Sequence, residues 1–343
     1  MRLRRSDLSK PGISRRRRGK GFSYTLGGEP VTDRAVLDRI AGLAVPPAWN
    51  DVWVCPDERG HIQATGTDAA GRKQYRYHDL WRAKRDRQKF GRLDEMARAL
   101  PKMRAAVARD LGGRGLSRSR VLAAAVRLLD RAAVRVGSEQ YAVDDPDLGE
   151  ATFGLATIRR EHVRVRGSRL TLSFPAKGGI EAAVTVDDDA LAGVVRALLR
   201  RKDPSEELLA YRTGQEWHDV KSGDVNDYLR EISGAEITAK DFRTWHGTVA
   251  ALVSLCAAGA CGSATARNKA VAAAMRDASQ VLGNTPAVAK ASYVDPRLVD
   301  EFHGGSLAPL DGLSSADGDA VAAAFADERL WRRAEKAAMR VLS

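Results

Sequence analysis

Hydrophobic and polar positions along the chain fall into distinct regimes. Between residues 21 and 80 the apolar residues alternate over short runs broken by Gly and Asp, the signature of half-buried strands. GFSYTLGGEPV predicts a hairpin around Gly27-Gly28, and VWVCPDERGHIQATG predicts two strands around a turn at Asp57–Gly60. A short helix is expected between them, over about 33–41. From about residue 93 the period becomes helical. Leu93–Leu111 reads as a helix broken near Pro101, and Ser117 as the cap of a helix running to Val136 with Gly137 as its stop. Residues 162–186 return to short strands, HVRVRG, RLTLSF and IEAAVTV, with Pro175–Gly179 as the second turn. Further helices are expected at about 189–201, 224–232, 239–258, 266–282, 286–292 and 317–341. The fold class implied is α+β: a β-rich domain over 21–90, then a mainly helical domain over 91–343 with a three-stranded insert.

Charge sharpens this picture. The 343 residues carry a net charge of +12, and 29% of them are charged. Residues 1–20 hold nine Arg and Lys against Asp7, and residues 72–92 hold nine against Asp79 and Asp86. Those segments account for more than the whole net charge, so the rest of the chain is slightly acidic. Positive charge placed this locally points to a polyanion. Residues 1–20 are expected to be a flexible basic arm, and 82–92 a basic connection that includes Arg85. In GRKQYRYH, alternation sets Arg72, Gln74 and Arg76 on one face and Lys73, Tyr75 and Tyr77 on the other, a composition suited to phosphate and base-edge contacts.

Several classes are excluded. No apolar run reaches the ~20 residues a spanning helix needs, and no apolar stretch follows the basic N-terminus as in a secretory signal. Cys55, Cys256 and Cys261 cannot all pair. A cytoplasmic protein with reduced thiols is expected. Neither a G-x-x-x-x-G-K-[ST] loop nor a G-x-G-x-x-G turn occurs, and the six His are scattered, so no cofactor and no metal is expected. Any chemistry must come from side chains alone. Arg243 and Lys240 sit at a helix start, where cations oppose the macrodipole unless an anion binds there. Local acid from Asp241 is the alternative explanation. Arg135 is read as a C-terminal helix cation, Lys177 as a turn lysine, and Tyr293 as following a helix opened by Thr285-Pro286.

Taken together, VPPAW (45–49), the run 51–78, AVRVGSEQYA (133–142), TFGLATIRREHV (152–163), SFPAKGG (173–179), KDFRTW (240–245) and LGNTPAVAKASYVDP (282–296) resemble the poxvirus-like bacterial type IB DNA topoisomerases in order and spacing. The resemblance covers about residues 21–300. It implies a clamp around double-stranded DNA, acting as a monomer in the bacterial nucleoid without ATP or metal. It assigns Tyr293 as nucleophile, Arg135 and Arg243 as the clamp on the scissile phosphate, and Lys177 as general acid. Gln74, Tyr75 and Tyr77 match the family's base-reading motif. The family usually carries His where this chain has Asn284, which can donate a hydrogen bond but cannot carry charge or transfer a proton. Ala176 before the Lys is a smaller departure. A tyrosine recombinase is the alternative within the superfamily, but its H-x-x-R would need His where Lys240 stands. A non-catalytic DNA-binding protein is the alternative from another class. Retention of Tyr293, Lys177, Arg135 and Arg243 together argues against it.

Overall fold

The computed structural model describes residues 1–19, 21–69, 71–137, 142, 151–176, 180–313 and 319–342. The chain forms two compact units, one over Met1–Lys89 and one that starts at Phe90 and contains most of the remainder.

The first unit is built on a six-stranded sheet. Its strands are β1 (Ile13–Arg18), β2 (Gly21–Leu26), β3 (Glu29–Pro30), β4 (Asn50–Val54), β5 (Ile62–Thr67) and β6 (Lys73–Tyr77), in the order β3-β2-β1-β4-β5-β6. Every pairing is antiparallel. Helix α1 (Arg34–Gly42) is capped by the Asp33 carboxylate, which accepts the Ala35 N–H. Its Ile40 joins Ile13, Val52, Val54 and Ala64 in a small core.

The expected flexible arm does not hold for residues 13–18, which form an inner strand paired with both β2 and β4. Two side chains explain the difference. Ile13 is buried, and Arg15 runs along the same face to donate to the carbonyls of Val45, Pro46 and Trp49. An aliphatic stem packs while its charged tip is satisfied.

The basic connection is also different. Residues 79–111 are one helix, α2 (Asp79–Leu111), with Pro101 inside it. Proline removes one backbone hydrogen bond. Leu93, Met96, Leu100, Met103 and Val107 bury one face on either side of it, and that burial outweighs the missing bond.

In the second unit, α3 (Arg118–Ala132) is capped by Ser117 and is followed by the sheet β7 (Val163–Arg166), β8 (Arg169–Ala176) and β9 (Ile180–Asp187), in the order β7-β8-β9. Next come α4 (Asp189–Leu199), a hairpin β10 (Ala210–Thr213) and β11 (Glu216–Asp219) around Gly214, α5 (Ser222–Ser233), α6 (Ala239–Ala258), α7 (Ala264–Leu282), α8 (Pro286–Ser292), α9 (Pro296–Gly304), α10 (Ala320–Ala326) and α11 (Glu328–Leu342). The second hairpin and α9 have no counterpart in the sequence reading. The helix expected over 317–341 is two helices, because the Asp327 carboxylate accepts the N–H groups of Arg329 and Leu330 and starts a new one.

Helix α6 is the centre of this unit. It is buried nearly throughout and packs on α3, α5, α7, α10 and α11. A buried polar cluster ties α11 to it. Arg104 of α2 donates to Asp130 of α3 and to Glu335 of α11, at 2.7–2.8 Å. Glu335 also accepts the Trp245 indole N–H of α6 at 3.0 Å.

Candidate active site

Arg243 lies one turn into α6. The start of that helix is fixed by Asp241, whose carboxylate accepts both the backbone N–H and the hydroxyl of Thr238, each at 2.8 Å. Asp241 is thereby occupied, and Arg243 turns inward. Only 4% of Arg243 is exposed. Its Nη1 donates to the Ala133 carbonyl at 2.5 Å and its Nη2 to the Leu282 carbonyl at 2.8 Å, while Nε has no partner.

Arg135 is not on a helix, contrary to the sequence expectation. Helix α3 stops at Ala132, and Ala133 takes the left-handed conformation with φ 49°. The next residues run alongside 155–156, with Leu155 N–H on the Arg135 carbonyl at 2.8 Å and Ala156 N–H on that of Val136 at 2.7 Å. Gly137 and Gly154 touch backbone to backbone there, so closely that a Cβ on Gly154 would lie 2.4 Å from the Gly137 Cα. The segment directs Arg135 Nη2 to the Gly283 carbonyl at 2.9 Å.

Among the described residues neither arginine pairs with a carboxylate. Burial, reinforced by the positive charge of Arg135, pushes Arg243 down to about 10 despite the opposing pull of Tyr293. Burial also lowers Arg135. Arginine keeps its proton near neutrality, so the shift measures charge held away from water and still uncompensated. Such a site gains by taking an anion.

Asn284 sits between the C-cap of α7 at Gly283 and the N-cap of α8 at Thr285. Both amide atoms, Oδ1 and Nδ2, are buried and have no hydrogen-bond partner. An unpaired buried polar group costs ~1–3 kcal/mol, and exceptions of this kind call for a ligand or a role. Asn284, Arg135 and Arg243 line one cleft of about 390 Å³, walled on the other side by Phe174, Ala176 and Glu181 of β8 and β9. Ala176 pairs with Ile180. Lys177, between them, lies outside the described residues.

Tyr293 caps the C-terminus of α8. Its ring centroid lies 5.1 Å from the Arg243 guanidinium carbon, and Tyr293 is close enough to Arg135 to act on its charge. Two residues that the sequence reading missed hold it there. Gly247 is one turn beyond Arg243, and a Cβ on it would lie 2.8 Å from the Tyr293 carbonyl oxygen. Thr248 Oγ1 donates to that same carbonyl at 3.2 Å and accepts the Asp295 N–H at 3.1 Å. The available signal was a glycine inside a strong helical pattern, which costs ~1 kcal/mol relative to alanine and invites a packing reason.

The residues expected to contact DNA in the first unit divide by face. Lys73, Tyr75 and Tyr77 are exposed, and the two rings stack at 6.0 Å between centroids. Gln74 faces the other way and donates to Asp68 at 2.9 Å, while Arg72 pairs with the same carboxylate at 3.0 Å. Arg85 and Lys240 are exposed on α2 and at the start of α6.

Residues 78–301 match the family model described as eukaryotic DNA topoisomerase I, catalytic core, and residues 21–68 match that of bacterial DNA topoisomerase IB, N-terminal domain. The chain belongs to the type IB DNA topoisomerase family. A DNA topoisomerase 1B from Acanthamoeba polyphaga mimivirus is 31% identical over 293 residues, spanning 82% of this chain and 85% of that one.

The resemblance carried by the motifs therefore holds for family, fold class and enzyme class, and neither alternative reading is favoured. This topoisomerase is an isomerase of DNA. Among its described residues, no helix is long and apolar enough to cross a membrane, and no group of three or more His, Cys, Asp or Glu could hold a metal.

Proposed function

We propose that this type IB topoisomerase relaxes supercoiled DNA with Tyr293 as its nucleophile and Arg135, Arg243 and Asn284 as the cradle of the scissile phosphate. The observation that carries the reading is one buried and one half-buried guanidinium, neither with a carboxylate partner among the described residues, next to an amide whose two polar atoms are unpaired. A phosphodiester supplies what that site lacks: one negative charge and oxygen acceptors for Nε, Nη and Nδ2 donors.

In the proposed step the Tyr293 phenol oxygen attacks phosphorus. The phenol gives up its proton as the 3′-phosphotyrosyl bond forms, the P–O5′ bond breaks, and the 5′ oxygen takes one proton and leaves as a hydroxyl, so protons balance. Negative charge builds on the non-bridging oxygens as this happens. Fixed cationic donors in a site shielded from water stabilise it by a few kcal/mol each. The Asn284 amide can add one hydrogen bond but neither charge nor a proton. The departing alkoxide needs an acid, worth ~10²–10⁴-fold, and Lys177 is the residue proposed for it. The covalent ester conserves the energy of the cleaved bond. Religation by the 5′-hydroxyl then requires no ATP, and the duplex can rotate in between.

Double-stranded DNA is the proposed substrate, bound by a monomer working in the bacterial nucleoid. Lys73, Tyr75, Tyr77, Arg85 and Lys240 are proposed contacts outside the cleavage site, with Gln74 and Arg72 requiring release from Asp68 to join them. The test is incubation with supercoiled plasmid, free of ATP and magnesium, followed by denaturation to trap protein-linked DNA. The wild type is expected to relax the plasmid and leave an adduct. Tyr293→Phe is expected to bind DNA without doing either. An adduct formed by Tyr293→Phe would show that another residue is the nucleophile.

A further inference from the structure

Tyr293 is supported unevenly by its two neighbouring helices. On one side lies α8, seven residues long, in which Ala289 is the buried residue. On the other lies α9, which buries Leu298 and Phe302. A single residue, the buried Val294, separates Tyr293 from Asp295, the N-cap of α9. So short a connection passes any tilt at the start of α9 directly to the tyrosine.

One side chain braces that start. Asp295 is fully buried. Its carboxylate accepts the Arg297 backbone N–H at 2.9 Å, as an N-cap does. It also accepts the Arg297 guanidinium, with Nε 3.2 Å from both oxygens and Nη2 2.8 Å from Oδ2. The same guanidinium reaches outward. Its Nη1 donates to the Leu342 carbonyl at the end of α11 at 2.7 Å. Its Nη2 donates to Asp94 of α2 at 3.2 Å and to the Phe90 carbonyl at 3.4 Å. Phe90 is the first residue of the second unit, and α2 is the helix that enters it from the first.

All three guanidinium nitrogens of Arg297 are thereby engaged, unlike those of Arg243, whose Nε is free of partners. The hydrogen bond to Asp295, with the charges of that carboxylate and of Asp94, holds Arg297 above its ordinary pKa. A phosphate would have to displace both acids. Arg297 is therefore not a further ligand of the scissile phosphate, and what it can transmit is position.

The path inward is short. The Asp295 backbone N–H donates to Thr248 Oγ1 at 3.1 Å, and Thr248 Oγ1 donates to the Tyr293 carbonyl at 3.2 Å. A hydroxyl has one proton to give. Accepting from Asp295 leaves that proton directed at Tyr293.

We propose that Arg297 is a positioning residue for DNA cleavage, fixing the main chain of Tyr293 to α2 and α11 through Asp295 and Thr248. The proposal rests on the reading of Tyr293 as nucleophile and adds the brace that holds it.

The experiment uses the full chain and compares the wild type with Arg297→Ala, Arg297→Lys and Asp94→Ala. The rate constant of covalent adduct formation is measured in single turnover at saturating enzyme on a short duplex. Duplex affinity and the urea midpoint are measured alongside. Misplacement by ~1 Å costs about 10²-fold, so a shift of about half that in Arg297→Ala is expected to slow cleavage about 10-fold with affinity unchanged. Arg297→Lys should stay closer to the alanine variant than to the wild type, because one ammonium cannot span Asp295, Asp94 and the Leu342 carbonyl at once. Asp94→Ala leaves Asp295 its partner and should slow cleavage about 3-fold; it carries the test if Arg297→Ala does not fold. The deficit relative to wild type should persist on a duplex whose 5′ leaving oxygen is replaced by sulfur, since a better leaving group does not return a displaced nucleophile. A wild-type rate constant in folded Arg297→Ala, whatever its urea midpoint, overturns the proposal and leaves Arg297 a stabilising residue. The same result in Asp94→Ala overturns it where Arg297→Ala does not fold. So does a loss confined to affinity, or one that vanishes on the sulfur duplex. If the wild type forms its Tyr293 adduct while the variants behave in any of those ways, only the brace is refuted. If the wild type forms no adduct, or Tyr293→Phe still forms one, the nucleophile reading fails and the proposal with it.

Discussion

Replacing Gly247 by alanine isolates the geometry of the proposed nucleophile, Tyr293, from its chemistry. The new Cβ would meet the Tyr293 carbonyl oxygen at 2.8 Å, the Leu282 Cδ1 at 3.0 Å and the Tyr293 Cβ at 3.1 Å. Ordinary contact begins near 3.4 Å, so the Tyr293 backbone must retreat by about 0.6 Å from α6. Arg243 is on the same helix, one turn away, and stays anchored to Ala133 and Leu282. The displacement therefore changes the distance between tyrosine and arginine rather than moving both. Misplacement by ~1 Å costs about 10²-fold in rate, so the expected loss is about 10- to 30-fold, or roughly 1.4–2 kcal/mol of barrier. Stability should move little. Overpacking costs ~1–3 kcal/mol, and alanine returns the ~1 kcal/mol of helix propensity that glycine forgoes. The assay is the single-turnover rate of covalent adduct formation at saturating enzyme, with DNA affinity measured alongside. An unaltered cleavage rate in the folded variant would refute the idea that α6 sets the position of Tyr293. A loss confined to affinity would refute it as well.

Two further predictions concern the cleft and the core behind it. Asn284→His should cleave at least as fast as the wild type, since a ring nitrogen can donate where Nδ2 does and can also carry charge; complete loss of adduct with DNA binding intact would mean the pocket is built around the amide. Glu335→Gln should lower the urea midpoint by the equivalent of about 3 kcal/mol, because it leaves the buried Arg104 with one carboxylate in place of two and sets an amide N–H against a guanidinium; a change under ~1 kcal/mol would show that Asp130 alone satisfies Arg104.

Much of the scaffold was legible because local chemistry and tertiary packing agree there. Asp33 before α1, Gly27-Gly28 between β2 and β3, and Thr285-Pro286 before α8 are start and turn signals that the fold honours. Strand β1 was hidden because four consecutive arginines erase the apolar alternation, although Arg15 packs its stem like a core residue. Helix α2 was read as broken because Pro101 outweighs everything near it in sequence, whereas the buried face it interrupts exists only in three dimensions. The site residues were found as a set through resemblance. Their individual geometry was not legible: nothing local to residues 133–137 shows that Ala133 adopts a left-handed turn or that Gly154 packs on Gly137. Gly247 and Thr248 could have been flagged as odd for a helix interior, but not assigned to Tyr293, which is more than forty residues away along the chain.

The two ways this protein anchors an arginine explain why a phosphate is proposed for the cleft. Arg104 is held by carboxylates on both sides, Asp130 and Glu335, and its guanidinium is stabilised well above the usual value once those partners offset burial. Its charge is cancelled where it stands, so it joins α2, α3 and α11 and has nothing left for a ligand. Arg243 and Arg135 are held by carbonyls at the C-terminal ends of α3 and α7, those of Ala133, Leu282 and Gly283. Helix C-termini carry only about half a negative charge, spread over several groups. They orient a guanidinium without neutralising it. A carboxylate in either position would lock the arginine more firmly, but would compete directly with the incoming phosphate and lower the potential the transition state must meet. Carbonyl anchoring keeps the donors fixed in direction and the positive charge in reserve, which preorganised stabilisation of a developing oxyanion requires. The same contrast predicts which substitutions damage which property: losing a carboxylate beside Arg104 costs stability, whereas adding one beside Arg243 would leave a folded protein that no longer cuts.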